Sequence, residues 1–223
     1  MNRLRPYTHV IFDLDGTLVD SEHMYTEATQ AVVGEYGATF DPAIKRKVIG
    51  RGAIAAGRIL VEALELPITA QEFIDLREPH LRRLFPSVAP LPGVVELVQA
   101  LAFCKIPMAV ATSSPRELVE LKSRHHEWFD AFDVIVCGDD PRLKRSKPAP
   151  DIFLLAAADL GAAPESCLVF EDAPAGVEAA LAAKMQVVAI PTPLTNRADF
   201  AGADLLIDGY SDLDLGALSE RTS

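Results

Sequence analysis

The sequence predicts an α/β fold: a doubly wound parallel sheet with a small all-helical unit inserted after its first strand. Two observations predict it. From residue 90 onward, short and uniformly apolar runs alternate with helical patterns, whereas residues 21–87 carry helical patterns alone. Runs that are apolar at every position belong to strands buried on both faces, which is the state of a parallel sheet covered by helices on either side.

Taken in order, residues 10–12 (VIF) form the first buried strand. Residues 22–36, 42–49, 54–64 and 69–85 have helical spacing, punctuated by the helix breakers Gly37, Gly50, Gly52 and Pro67. Helix 93–103 then precedes strand 107–112 (PMAVAT), helix 115–124 and strand 133–137 (DVIVC). Helix 151–160, strand 167–170 (CLVF), helix 175–184 and strand 187–190 follow, and a short strand at 204–207 closes the sheet edge. The division expected is a core of residues 1–20 and 88–223 and a helical domain of residues 21–87, joined near Asp20 and near residues 86–92.

At 223 residues the chain has room for one large domain and a smaller companion. With 49% hydrophobic and 24% charged residues it has the balance of a soluble globular protein. No apolar stretch approaches the roughly 18 residues that span a membrane. The first ten residues, MNRLRPYTHV, lack the apolar region of a secretory signal, so a cytoplasmic protein is expected. Cys104, Cys137 and Cys167 are odd in number and set in apolar surroundings. They read as buried free thiols, without a disulfide framework or a zinc site. No exposed apolar stripe demands a dimer, and a monomer is expected. The net charge of −11 argues against a nucleic-acid surface. For an anionic substrate it also demands local positive charge at the site.

The chemistry is concentrated at strand ends, where open α/β sheets bind ligands. Directly after the first strand, DLDGTLVD places Asp13 and Asp15 two positions apart, on one side of an extended chain. Gly16 then permits a sharp turn. Two like charges so placed call for a cation. The second strand leads into Thr112, Ser113 and Ser114, hydroxyls opening into a helix whose N–H groups suit an anion. The CLVF strand leads into the acidic pair Glu171 and Asp172, and Lys147 lies in a proline-flanked segment ahead of a helix.

Each feature alone has a bland reading, as a helix cap, a solvated acid or a surface lysine. Together they suit phosphoryl transfer. Asp13 can attack phosphorus and form an aspartyl-phosphate. Asp15 can protonate the leaving oxygen and later accept a proton from water. Opposite protonation states in the two acids require environments that push their pKa values apart. Thr112 and N–H groups near Ser113 can hold phosphoryl oxygens, Lys147 can offset charge, and the acids offer hard oxygen donors to Mg²⁺.

These positions, in this order, resemble the haloacid dehalogenase-like superfamily, and the resemblance covers nearly the whole chain. It implies a Rossmann-like core, Asp13 as nucleophile, Asp15 as general acid/base, and Thr112 and Lys147 as the second and third motifs. The Mg²⁺ ligands it implies are the Asp13 side chain, the Asp15 backbone carbonyl and Asp172, with Glu171 as a further candidate. The helical insert is similar to the family's cap. Dehalogenating members lack the second acid, so Asp15 implies phosphate chemistry. Mutase relatives carry a histidine where this chain has Tyr25, which implies hydrolysis. His23 lies about 200° from Tyr25 around a helix and is read as a surface or hinge residue.

Residues 121–125 (LKSRH), 138–141 (GDDP), 147–153 (KPAPDIF) and 170–174 (FEDAP) resemble the branch containing pseudouridine-5'-phosphatase, glycerol-phosphate and sugar-phosphate phosphatases. Adjacent His125 and His126 diverge on a helix and do not form a metal pair. Arg51, between cap helices, is a candidate substrate contact. The expectation is therefore a Mg²⁺-dependent phosphatase acting on a small phosphate monoester. The alternatives are a phosphate-shifting sugar-phosphate isomerase and a binding protein that kept the fold without activity.

Overall fold

A computed structural model describes residues 4–48, 51–193 and 195–214. Six strands, β1 (His9–Phe12), β2 (Met108–Ala111), β3 (Val134–Val136), β4 (Cys167–Glu171), β5 (Gln186–Ala189) and β6 (Leu205–Leu206), form one parallel sheet in the order β3-β2-β1-β4-β5-β6. The predicted strands are all present, each within a residue or two of its expected position.

Alternation along the strands explains why their runs are wholly apolar. Val10, Phe12, Met108, Val110, Leu168 and Phe170 face one buried cluster, covered by α5 (Val94–Phe103) and α6 (Arg116–Ser123). Ile11, Ala109, Ala111, Val169 and Val187 face the other, covered by α7 (Asp151–Leu160) and α8 (Pro174–Ala182). Both faces are thus removed from water.

Between β1 and α5 lie the helices α1 (Glu22–Gly34), α2 (Pro42–Val48), α3 (Ala53–Ala63) and α4 (Ala70–Leu84). Val32, Val33, Leu60, Leu66 and Phe73 give this block an apolar cluster of its own. Thr69 and Glu72 form a reciprocal capping box at the start of α4, and the helix carries Pro79 within it. The two connections to the sheet are hydrogen-bonded to each other, Asp20 N–H to Ala89 O (2.9 Å) and Leu91 N–H to Leu18 O (3.0 Å). The tail reinforces this crossing, because the buried Tyr210 hydroxyl donates to Thr17 O (2.9 Å).

One reading of the cysteines is corrected. Cys137 and Cys167 are buried free thiols, but Cys104 is exposed. It closes α5 at the turn before β2, where the chain leaves the apolar face. Among the described residues, no helix is long and apolar enough to cross a membrane.

Candidate active site

The sheet order reverses around β1, and the strands on either side of it, β2 and β4, open a crevice at their carboxyl ends. Asp13 follows β1, Thr112 follows β2, Glu171 ends β4 and Asp172 follows it. A cavity of about 280 Å³ lies here between the sheet and the helical block. Asp13, Asp15, Thr112, Ser113, Lys147, Glu171, Asp172 and Arg51 all line it.

Asp13 is anchored by its N–H to Phe170 O (3.0 Å), which continues the β1–β4 ladder. Its Oδ1 accepts from Lys147 Nζ at 2.6 Å. Lys147 is equally close to Glu171 Oε1 (2.6 Å) and donates to Ala111 O (3.2 Å). The second oxygen of Glu171 accepts from Ala173 N–H (2.8 Å). This close seat needs Gly176 in α8, because a Cβ there would overlap the Glu171 carboxylate.

Asp15 has a separate set of partners. Its Oδ1 accepts from Ser21 Oγ (2.5 Å) and Lys122 Nζ (2.5 Å), and its Oδ2 accepts from Ser114 Oγ (2.7 Å). Ser21 opens α1 without capping it, since its hydroxyl is turned to Asp15. Thr112 Oγ1 accepts from Ser114 N–H (3.1 Å) rather than capping α6. Ser113 is exposed, so within this hydroxyl cluster it is Ser114 that reaches the acid. Arg51 Nε donates to Lys47 O (2.9 Å). His23 is exposed beside Asp20, and His126 Nε2 lies 2.9 Å from Val88 O, away from the cavity.

Lys122 is the residue that sequence reasoning passed over. It is 1% exposed and also donates to Ser114 Oγ (2.9 Å) and to Tyr25 OH (3.2 Å). A signal was present: Leu118, Val119 and Lys122 share one buried face of α6, so the lysine interrupts an apolar stripe at helical spacing. A cation placed there must meet a buried anion.

The two acids are driven apart electrostatically. Burial, with the charges of Glu171 and Asp15, pushes the Asp13 carboxyl up to about 7 against the pull of Lys147. Burial also works on Asp15, but Lys122, Ser21 and Ser114 outweigh it and hold its carboxyl below the ordinary range. Asp15 thus carries the charge more readily than Asp13, the reverse of a resting protonated acid. The reason is that Asp15 has a lysine to itself, whereas Asp13 shares one with Glu171. The same two carboxylates hold Lys147 above its usual range despite burial.

Asp172 is the unanswered charge. It is 4% exposed, accepts from Thr17 Oγ1 at 3.3 Å, and has no cationic partner among the described residues. Burial, with Glu171 and Asp13 nearby, pushes its carboxyl well up. Gly16 adopts a left-handed φ of 79°, and a Cβ on it would overlap Asp172 Oδ2. Among the described residues, no group of three or more His, Cys, Asp or Glu side chains forms a preassembled metal cage. The donor set fits an ion that takes one or two carboxylates and completes its shell with carbonyl, water and phosphate oxygens. Mg²⁺ behaves in this way. With both Glu171 oxygens engaged, Asp172 is the better-suited member of the pair.

A parallel α/β sheet with a helical insert, its carboxyl edge holding buried acids around a lysine, defines a class of phosphate-handling hydrolase. The chain belongs to the haloacid dehalogenase-like hydrolases, whose family pattern matches residues 10–190, and within that family it is a phosphatase. It is 39% identical over 213 residues to the "Probable pseudouridine-5'-phosphatase" of Drosophila melanogaster, covering 94% of this chain and 92% of that one. It is 41% identical over 211 residues to (DL)-glycerol-3-phosphatase 2 of Arabidopsis thaliana, covering 92% and 88%. The crystal structure of CbbY from Rhodobacter sphaeroides in complex with phosphate is similar with a TM-score of 0.80 and 27% identity, over 93% of this chain and 96% of that one.

Proposed function

We propose that this phosphatase is a Mg²⁺-dependent phosphomonoesterase acting on a small organic phosphate, a nucleoside, sugar or polyol phosphate, through an aspartyl-phosphate on Asp13. The observation that carries the reading is the posture of Asp13. One carboxylate oxygen is held 2.6 Å from Lys147, while the other has no protein hydrogen bond among the described residues and remains available to attack. The names of the two relatives, a pseudouridine-5'-phosphatase and a glycerol-3-phosphatase, support a small phosphate monoester as substrate.

Asp13 attacks phosphorus in line with the leaving oxygen, splitting hydrolysis into two easier displacements. Thr112, N–H groups near Ser113 and Lys147 hold the phosphoryl oxygens, and Glu171 keeps Lys147 aimed at them. The negative charge of the bound phosphate opposes Lys122 and raises Asp15 toward the range where it carries the proton that the leaving oxygen needs. In the second displacement Asp15 takes a proton from the attacking water. The Asp13 carboxylate, the Asp15 carbonyl and Asp172 would hold Mg²⁺, which would supply positive charge to offset that of the phosphoryl oxygens. Residues 21–87 act as a cap domain that covers the cavity, excludes bulk water and sets specificity.

Hydrolysis is favoured over phosphate shuttling because the Tyr25 hydroxyl is engaged with Lys122 (3.2 Å) and Ser114 (3.4 Å) and is not a free base. A panel of nucleoside, sugar and polyol monophosphates with Mg²⁺ tests the proposal by release of inorganic phosphate. Turnover that requires a sugar bisphosphate and releases no phosphate would mean an isomerase instead.

A further inference from the structure

Arg77 lies on α4, with its guanidinium carbon 5.6 Å from the Tyr25 ring centre and 5.2 Å from that of Phe73. Its Nε is buried and has no hydrogen-bond partner among the described residues. No carboxylate pairs with it among the described residues. The adjacent Glu78 is taken by Arg82 (2.5 Å), which also pairs with Glu117, and Glu22 is taken by Lys45 (2.9 Å). Burial lowers the pKa of Arg77, as expected of a charge that has lost water without gaining an anion. Arg77 nevertheless lines the cavity, as does Arg51, which likewise has no acidic partner among the described residues.

The charge of a scissile phosphate is met by Lys147 and the metal of the proposed function. The two guanidiniums supplied by the helical block, Arg77 on α4 and Arg51 between α2 and α3, are in excess of what a neutral alcohol leaving group would use. A guanidinium whose Nε is shut off from water without a partner is costly, and a polyol or nucleoside would leave that cost standing. Two aromatic faces hold its plane, and a planar fork of donors matches a carboxylate or phosphate in two-point contact. Resting on the proposed phosphatase reading, we infer that Arg77 reads the leaving group of the substrate, and that this leaving group carries a second anionic oxygen group, a carboxylate or another phosphate.

Matched pairs test this with the full-length protein and Mg²⁺: 3-phosphoglycerate against glycerol 3-phosphate, and fructose 1,6-bisphosphate against fructose 6-phosphate. The expected result is a kcat/KM about 10- to 100-fold higher for the charged member of at least one pair, the scale of one charge-assisted contact. The pair that shows it tells carboxylate from phosphate. Arg77→Gln should erase that preference while leaving the neutral member within about threefold, and Arg77→Lys, which keeps charge without the fork, should fall between. The wild-type comparison needs no variant, so it stands even if Arg77→Gln folds poorly. Equal turnover within both pairs, or an Arg77→Gln loss of equal size on charged and neutral members, overturns the inference. Hydrolysis of p-nitrophenyl phosphate without such a preference leaves the phosphatase reading intact, whereas no turnover of any of these compounds overturns both.

Discussion

Lys122 Nζ on α6 stands 2.5 Å from Asp15 Oδ1, joining residues 107 positions apart in an ion pair whose lysine is fully buried and whose acid is partly so. The lysine also lies 4.4 Å from the Phe85 ring centre and 5.1 Å from that of Tyr25. A core helix, the acid after β1 and the inserted helices therefore meet on one ammonium group. Removing the lysine leaves the Asp15 carboxylate partly buried without its cation. Lys122→Met should accordingly cost about 1–3 kcal/mol of stability and slow turnover. Denaturant unfolding and kcat measure this, and the double variant with Asp15→Asn should recover part of the stability. A single variant as stable as the wild type would show that the pair is not formed in solution.

The nucleophile assignment is the most direct to test. Asp13→Asn should abolish phosphate release while the protein stays folded. Thr112→Ala and Lys147→Ala should each lower kcat about 10²-fold or more, the scale of losing one preorganised donor to developing charge. Phosphate trapped on Asp13 after acid quenching, found by peptide mass spectrometry, would identify the intermediate.

The raised Asp13 carboxyl has a consequence for pH. Its ordinary value is 3.8 and burial takes it to about 7, so between these values the metal-free folded protein binds a proton that the unfolded chain has released. Stability of the metal-free protein should therefore fall as pH rises across this window, and the raised Asp172 carboxyl acts in the same direction. Mg²⁺ bound as proposed would displace that proton, so its affinity should strengthen as pH rises toward about 7, with proton release on binding. Calorimetry in buffers of different ionisation enthalpy reads both effects, and a pH-independent affinity would contradict the placement of the ion on Asp13.

Gly176→Ala isolates the seat of Glu171. The added methyl overlaps the carboxylate that steadies Lys147. We expect kcat to fall about 10-fold or more, the range for losing a supporting contact behind a charged group, with helix content unchanged. Circular dichroism and steady-state kinetics separate this from unfolding.

The thiols should differ in reactivity. Burial pushes Cys137 and Cys167 each up to about 11, while Cys104 is exposed. Limited iodoacetamide treatment should label Cys104 first, and Cys104→Ser should remove the fast phase. Rapid labelling of either buried cysteine in the folded protein would show an opening absent from this fold.

Much of the architecture was legible in the chain because its signals are local. An apolar run ending in two acids and a glycine marks a strand end wherever it occurs, and alternating strands and helices imply the parallel sheet. Asp13, Asp15, Thr112, Glu171 and Asp172 stand at strand ends and Lys147 in a proline-flanked segment ahead of a helix, and the fold brings them to one cavity. Lys122, Ser114 and Arg77 were not assigned roles. Their importance lies in partners or vacancies that no neighbouring residue specifies. Lys122 meets an acid from another element, and Arg77 is notable because no acid among the described residues pairs with it.

The sequence by itself determined the fold class, the helical insert and the acids and lysine at the strand ends, since period, turn chemistry and strand polarity act over a few residues. Only the tertiary structure decided which acid holds its charge. That depends on which lysine each carboxylate meets once both are taken out of water, and the meeting is made by helices far apart in the chain.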